Sequence, residues 1–254
     1  MAHVSRSRFT GLRKLHHREV HWWSSFSAEA LWPVAWTRSV VVEGVFSIRA
    51  NDLRQSSASA RAWVRLFNAT VVCPNYRLAP EHKFPTSQND GWDAVKWLDE
   101  HAQEIGADLQ KGFVIGGTSA GAIITAAIAT HAIDHPLQHP ITGQNLFVPS
   151  IMDEAAVPEK YKSYYLSHAQ NKDAPILSEA SVTAFAKLTE WDVKSPWRHP
   201  IYSKAPLSRQ PPAFFQIDGM DPLRDEGLIW EEMLKEAGVK TRIEFVRYLL
   251  GRKT

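Results

Sequence analysis

The arrangement best suited to chemistry is Gly117-Thr118-Ser119-Ala120-Gly121, a Gly-x-Ser-x-Gly pentapeptide. An alcohol is a weak nucleophile at neutral pH and needs a partner that takes its proton. Backbone geometry can prepare it before any partner arrives. A serine on a sharp strand-to-helix turn presents its Oγ, and flanking glycines let neighbouring backbone pass without a Cβ clash. A strand-like run, 112–117, precedes Ser119, and a helix of small and apolar residues is expected over 119–131. The start of such a helix directs backbone N–H groups and its positive dipole end at the turn. The Ala120 N–H is therefore a candidate oxyanion donor. The pentapeptide alone is common, and its strand–turn–helix setting is what favours a nucleophile over a structural turn.

The elements that must position this turn alternate along the chain. Strand-like runs fall at 39–46, 69–73, 112–117, 146–151, 213–217 and 242–245. Helical patterns fall at 59–67, 92–105, 119–131 and 222–237, the last opening on Pro222 and closing before Gly238. This alternation predicts an α/β fold, a mostly parallel central sheet with helices on both faces. The stretch 152–207 interrupts it with Tyr161, Tyr164, Tyr165, Trp191, Trp197 and several prolines. It reads as a helical insertion that covers a site, or as an ordinary excursion on the domain edge.

Composition narrows the function. With 29 Lys and Arg against 27 Asp and Glu, the chain lacks the basic excess of a dedicated nucleic-acid binder. Its one cysteine, Cys73, excludes an internal disulfide or a multi-cysteine zinc site. No apolar run is long enough to span a bilayer. Residues 1–38 form a divergent tail and 39–254 a single domain. Arg6, Arg8, Arg13, Lys14 and Arg18 precede the first acid, Glu19, as in an organelle transit peptide or a solvated tail. His17 and His21 share helical spacing, but a histidine pair without a third ligand makes a poor metal site. Trp22, Trp23, Trp32 and Trp36 suit packing on the domain better than a disordered tail. Asn68-Ala69-Thr70 fits a glycosylation sequon but leads into a strand-like run, and the cytoplasm is the default compartment. The oligomeric state stays open.

Two further motifs carry a family resemblance. One is Tyr76-Arg77-Leu78-Ala79-Pro80-Glu81-His82-Lys83-Phe84-Pro85, and the other is Asp221-Pro222-Leu223-Arg224-Asp225-Glu226-Gly227. With the serine motif, they resemble the hormone-sensitive-lipase-like (fold-3) esterase/lipase group of α/β-hydrolases, over about residues 46–245. The resemblance implies an α/β-hydrolase fold with a helical lid insertion, hydrolysis of small hydrophobic esters, and a Ser–His–Asp triad that uses no cofactor or metal. It makes Ser119 the nucleophile and Asp221 the triad acid. On the residues alone, Asp221 is also a candidate helix N-cap. Asp225 and Glu226 read as first-turn carboxylates that favour the helix dipole, and Arg77, Glu81 and His82 as structural.

The sequence departs from the family pattern twice. The family places its base in a loop after the last strand, yet all eleven histidines here lie at or before His199. The fold is therefore expected to be truncated at its C-terminus. The family's His-Gly-Gly-Gly-like oxyanion loop corresponds loosely to Val41 through Ile48, where Gly44 alone remains as a glycine donor and Glu43 puts charge near a developing oxyanion. Losing a triad histidine costs on the order of 10⁶ in turnover. His131 lies twelve residues along the helix, about 18 Å from Ser119. His168 and His199, in the insertion, are the remaining candidates. The expectation is an impaired serine hydrolase; the alternatives are an inactive binding or scaffold protein, or a truncated gene product, on the same fold.

Overall fold

The structure is a computed structural model that describes residues 40–45, 53–175 and 177–246, with side chains from residue 60 onward. Six strands form one sheet: β1 (Val40–Val45), β2 (Thr70–Val72), β3 (Phe113–Thr118), β4 (Gly143–Phe147), β5 (Ala213–Asp218) and β6 (Thr241–Val246). Their spatial order is β2-β1-β3-β4-β5-β6, and every pairing is parallel. Parallel neighbours need crossovers, which the helices supply. These are α1 (Leu53–Phe67), α2 (Thr86–His101), α3 (Ala120–Asp134), α4 (Ser167–Gln170), α5 (Glu179–Thr189) and α6 (Arg224–Glu236). The tail reading of 1–38, with its histidine and tryptophan expectations, lies outside the described residues.

Strand periodicity of two sends alternate side chains to opposite faces. On β3, Phe113 and Ile115 join Val95 and Leu98 of α2 and Ile124 and Ile128 of α3, while Val114 packs with Trp63 of α1. The sheet is thus covered on both faces, as the alternation predicts. Helix α3 is buried nearly all round, from Gly121 through Thr130. Its alanines let it lie close to the sheet, which fixes where its N-terminus begins.

One strand differs from its expected place. The apolar run 146–151 suggests β4, but the strand starts at Gly143 and ends at Phe147. Gln144 and Asn145 are buried in it. Gln144 is tolerated because its amide donates to Gln210 Oε1 and to the Pro211 carbonyl, both at 3.2 Å. Val148 then takes a positive φ of 41° and turns the chain out of the sheet. The helix read over 92–105 begins at Thr86 and passes into a 3₁₀ turn, Ala102–Ile105.

The 152–207 excursion runs between β4 and β5. It contains short 3₁₀ turns, the single-turn α4 and the longer α5. Helix α6 anchors it. Asp225 Oδ2 accepts from the N–H groups of Leu166 and Ser167, both at 2.7 Å, and Glu226 Oε2 accepts from Met152 N at 3.1 Å. Asp225 and Glu226 do sit in the first turn of α6. Both are only 1% exposed, so they act as buried acceptors for another segment's backbone as well as dipole partners.

Candidate active site

Ser119 stands between β3 and α3 with φ 56° and ψ −114°. A side chain in this region is strained and persists only where the surroundings enforce it. Its N–H donates to the Phe147 carbonyl at 2.8 Å, tying the turn to the end of β4. Its carbonyl accepts the first helical bonds, from Ala122 N at 2.9 Å and Ile123 N at 3.2 Å. A Cβ on Gly117 would lie 2.3 Å from the Gly121 carbonyl carbon. The two glycines are thus a contact pair, and no side chain fits between them. Ala120 opens α3, where an N–H has no intrahelical acceptor. Ser119 is half-buried, not sealed.

Gly44 lies in β1, in register with Gly117, one residue before the strand's end at Val45. The segment after it, 46–52, where the oxyanion loop is expected, lies outside the described residues.

Asp221 follows the end of β5, in the turn that leads to α6. Its Oδ1 accepts from Leu223 N at 2.8 Å, so the N-cap-like contact is present. Asn171 Nδ2 donates to its carbonyl at 3.0 Å. Burial pushes its carboxyl up to about 6, reinforced by the charges of Asp218 and Glu226. Asp218, at the strand's end, is raised by burial too, and its Oδ1 is buried without a hydrogen-bond partner among the described residues.

The structure engages the two insertion histidines elsewhere. His168 Nε2 faces Glu226 Oε1 at 3.1 Å, and its ring stacks on Tyr165. That hydrogen bond raises His168, against an opposing effect of burial; full burial raises Glu226, with His168 partly offsetting it. His199 is buried, with Nδ1 3.0 Å from the Ile151 carbonyl and Nε2 3.0 Å from Asp153 Oδ2. Burial pushes Asp153 up, but the bond from His199 and the charge of Arg198 outweigh it and hold the carboxyl below its ordinary value. His131 stacks on His135 at 3.9 Å and packs against Trp92 and Trp197. Burial lowers it, with His135 adding to the effect. His139 binds Asp99. Among the described residues no histidine ring nitrogen is hydrogen-bonded to Ser119 Oγ, and no three His, Cys, Asp or Glu side chains cluster as metal ligands would.

Beside Ala120 opens a cavity of about 760 Å³, its mouth included. Tyr76, Phe84, Ile123, Phe185 and Leu188 contribute to its walls, so the excursion and the sheet domain line it together. Arg77, at its edge, is clamped to Asp90 of α2 through Nε and Nη2, a structural role as the motif suggested. Arg198 also lines the cavity. Sequence spacing contains no signal for that residue, because its partners lie more than forty positions away.

An all-parallel sheet whose strand-to-helix turns carry a strained serine and a buried aspartate matches one family profile, described as the alpha/beta hydrolase fold, over residues 44–249. The chain belongs to the α/β-hydrolase family. Its esterase relatives place it in the hormone-sensitive-lipase-like branch that the motifs resemble. It is 37% identical over 202 residues to the esterase LipI of Mycobacterium tuberculosis, covering 78% of this chain and 60% of that one. It is 35% identical over 177 residues to an AB hydrolase superfamily protein of Schizosaccharomyces pombe, covering 70% and 52%. The crystal structure of vibralactone cyclase superposes with a TM-score of 0.78 at 33% identity, covering 85% of this chain and 64% of that one. The chain therefore spans between half and two-thirds of the length of these relatives. Among the described residues no helix is long and apolar enough to cross a membrane.

Proposed function

We propose that these 254 residues form a serine carboxylic-ester hydrolase scaffold for small hydrophobic esters. Ser119 is the nucleophile, Asp221 the triad acid and Ala120 N–H an oxyanion donor, with Gly44 the nearest glycine for a second. The 152–207 excursion acts as the lid. The observation that carries the reading is the backbone of Ser119, at φ 56° and ψ −114° on the turn into α3. Strain of this kind exposes a hydroxyl at the end of the sheet, where open α/β folds bind ligands.

Attack by Ser119 Oγ on an ester carbonyl would form a tetrahedral oxyanion beside Ala120 N–H. It also requires removal of the hydroxyl proton. His168 and His199 are held on Glu226 and Asp153. Turnover in this chain is accordingly expected to be severely slowed, with the oxyanion donor and substrate binding supplying what remains.

The test is p-nitrophenyl acetate hydrolysis and fluorophosphonate labelling, each with and without added imidazole, on the intact chain and on Ser119→Ala. The expected result is slow labelling that imidazole accelerates in the intact chain alone. Rapid labelling without imidazole would overturn the impairment, and no Ser119-dependent labelling under either condition would overturn the nucleophile. The open cavity beside Ala120 favours a second reading, a binding protein on the same fold. It would show ester binding with no Ser119-dependent chemistry at all.

A further inference from the structure

The cavity beside Ala120 is largely apolar, yet one charged side chain in its wall is incompletely used. Arg198 is 1% exposed. Its Nη1 donates to the Ser150 carbonyl and its Nη2 to Asp153 Oδ1, both at 2.9 Å. The guanidinium lies over Trp191, 4.2 Å from the ring centre, and Trp191 also lines the cavity. The third position, Nε, is buried with no hydrogen-bond partner among the described residues. Because the planar fork is held at both terminal nitrogens and stacked on an indole, the direction of the Nε–H is fixed. A buried donor of a charged group without an acceptor is costly, and a ligand that supplies one recovers that cost.

A second donor lies in the same wall. Ser87 Oγ donates to Gln88 Oε1 at 2.9 Å, which leaves the Gln88 Nε2 hydrogens for another acceptor. Gln88 is buried and lines the cavity. No Asp or Glu is among the described residues of the lining. The walls therefore offer donors set in apolar surface.

We propose that this cavity selects esters whose substituent carries a hydrogen-bond acceptor, and that Arg198 is the residue that recognises it. The inference rests on the ester-hydrolase reading only in naming the ligand an ester. A site built around a donor rejects a ligand that leaves the donor unpaired more strongly than it rejects a change of one methylene. A plain alkyl substituent would fill the space and leave Arg198 Nε buried without a partner.

The experiment is equilibrium binding to the full chain, by calorimetry, of butyl 4-oxopentanoate, monobutyl succinate and butyl pentanoate. The first two place a ketone or a carboxylate where the third has only alkyl. At least one of them is expected to bind about tenfold tighter than butyl pentanoate, the effect of one hydrogen bond to a charged group. The tighter of the two names the acceptor as neutral or anionic. If neither binds tighter than butyl pentanoate, the proposal is overturned. Arg198→Met is expected to bring the preference to within about twofold; a preference that survives in the folded variant removes Arg198 from the role. Should Arg198→Met fail to fold, Ile123→Phe fills the cavity from α3 and is expected to abolish binding of all three esters. Unchanged binding there places the ligand elsewhere and overturns the proposal. Repeating the titrations on Ser119→Ala separates the two readings: failure of the serine chemistry appears in labelling, and failure of this inference appears in the ester comparison.

Discussion

The serine arm and the acid arm are the same kind of structure, a parallel strand that turns into a helix at one edge of the sheet, but they store strain in different forms. At the β3–α3 turn the strain is steric: Ser119 holds a backbone conformation that side chains avoid, and Gly117 touches the backbone of Gly121. Every requirement there is met by neighbours in the chain and by one bond to β4. At the β5–α6 turn the strain is electrostatic. Asp221 and Asp218 are both raised by burial, and no cation is bonded to either among the described residues. A turn made of backbone is complete by itself, whereas buried carboxylates remain costly until a partner with a proton or a charge arrives.

Substitutions can break each arm or relieve it. The largest effect is expected from Gly117→Ala, which places a Cβ against backbone that cannot move aside. A loss of more than about 5 kcal/mol should remove the cooperative unfolding transition in urea. Asp225→Ala should break the anchorage of the acid arm. It strips two backbone N–H groups of their acceptor and is expected to cost about 4 kcal/mol by urea denaturation.

Relief should have the opposite sign. The folded-state value of Asp221 lies above its ordinary 3.8, at about 6. The folded state therefore binds the proton more tightly, and stability falls as pH rises from about 4 through about 6. Asp221→Asn keeps the contact to Leu223 N and removes that loss. It is expected to stabilise by up to about 3 kcal/mol at pH 7, with the gain gone at pH 4 in paired thermal melts. Ser119→Gly should release the backbone strain on the other arm and gain about 1 kcal/mol at every pH. If instead Ser119→Gly were pH-dependent and Asp221→Asn were not, the assignment of steric and electrostatic strain would be reversed.

The parts legible in the sequence are those whose cause is local. Glycine at 117 and 121 around Ser119, with a small-residue helix behind, specifies a tight turn because only backbone contact is involved. The alternation of elements predicts a parallel sheet because apolar runs of strand length must be buried on both faces. β4 was less legible, since polar Gln144 and Asn145 hide a strand that satisfies Gln144 through Gln210 and Pro211, more than sixty residues on. Asp225 and Glu226 look like helix-dipole carboxylates, and nothing nearby in the chain marks them as buried acceptors for Met152, Leu166 and Ser167.

By itself the sequence determined the fold family, the strained serine turn and the position of Asp221, because each depends on residue types a few positions apart. It also determined that no histidine follows Asp221. Only the tertiary structure decided which acceptors His168 and His199 meet, how far Asp221 is raised and where Arg198 lies. Those properties depend on burial and on contacts between segments distant along the chain, and the free energy of a charge is set by what surrounds it in space.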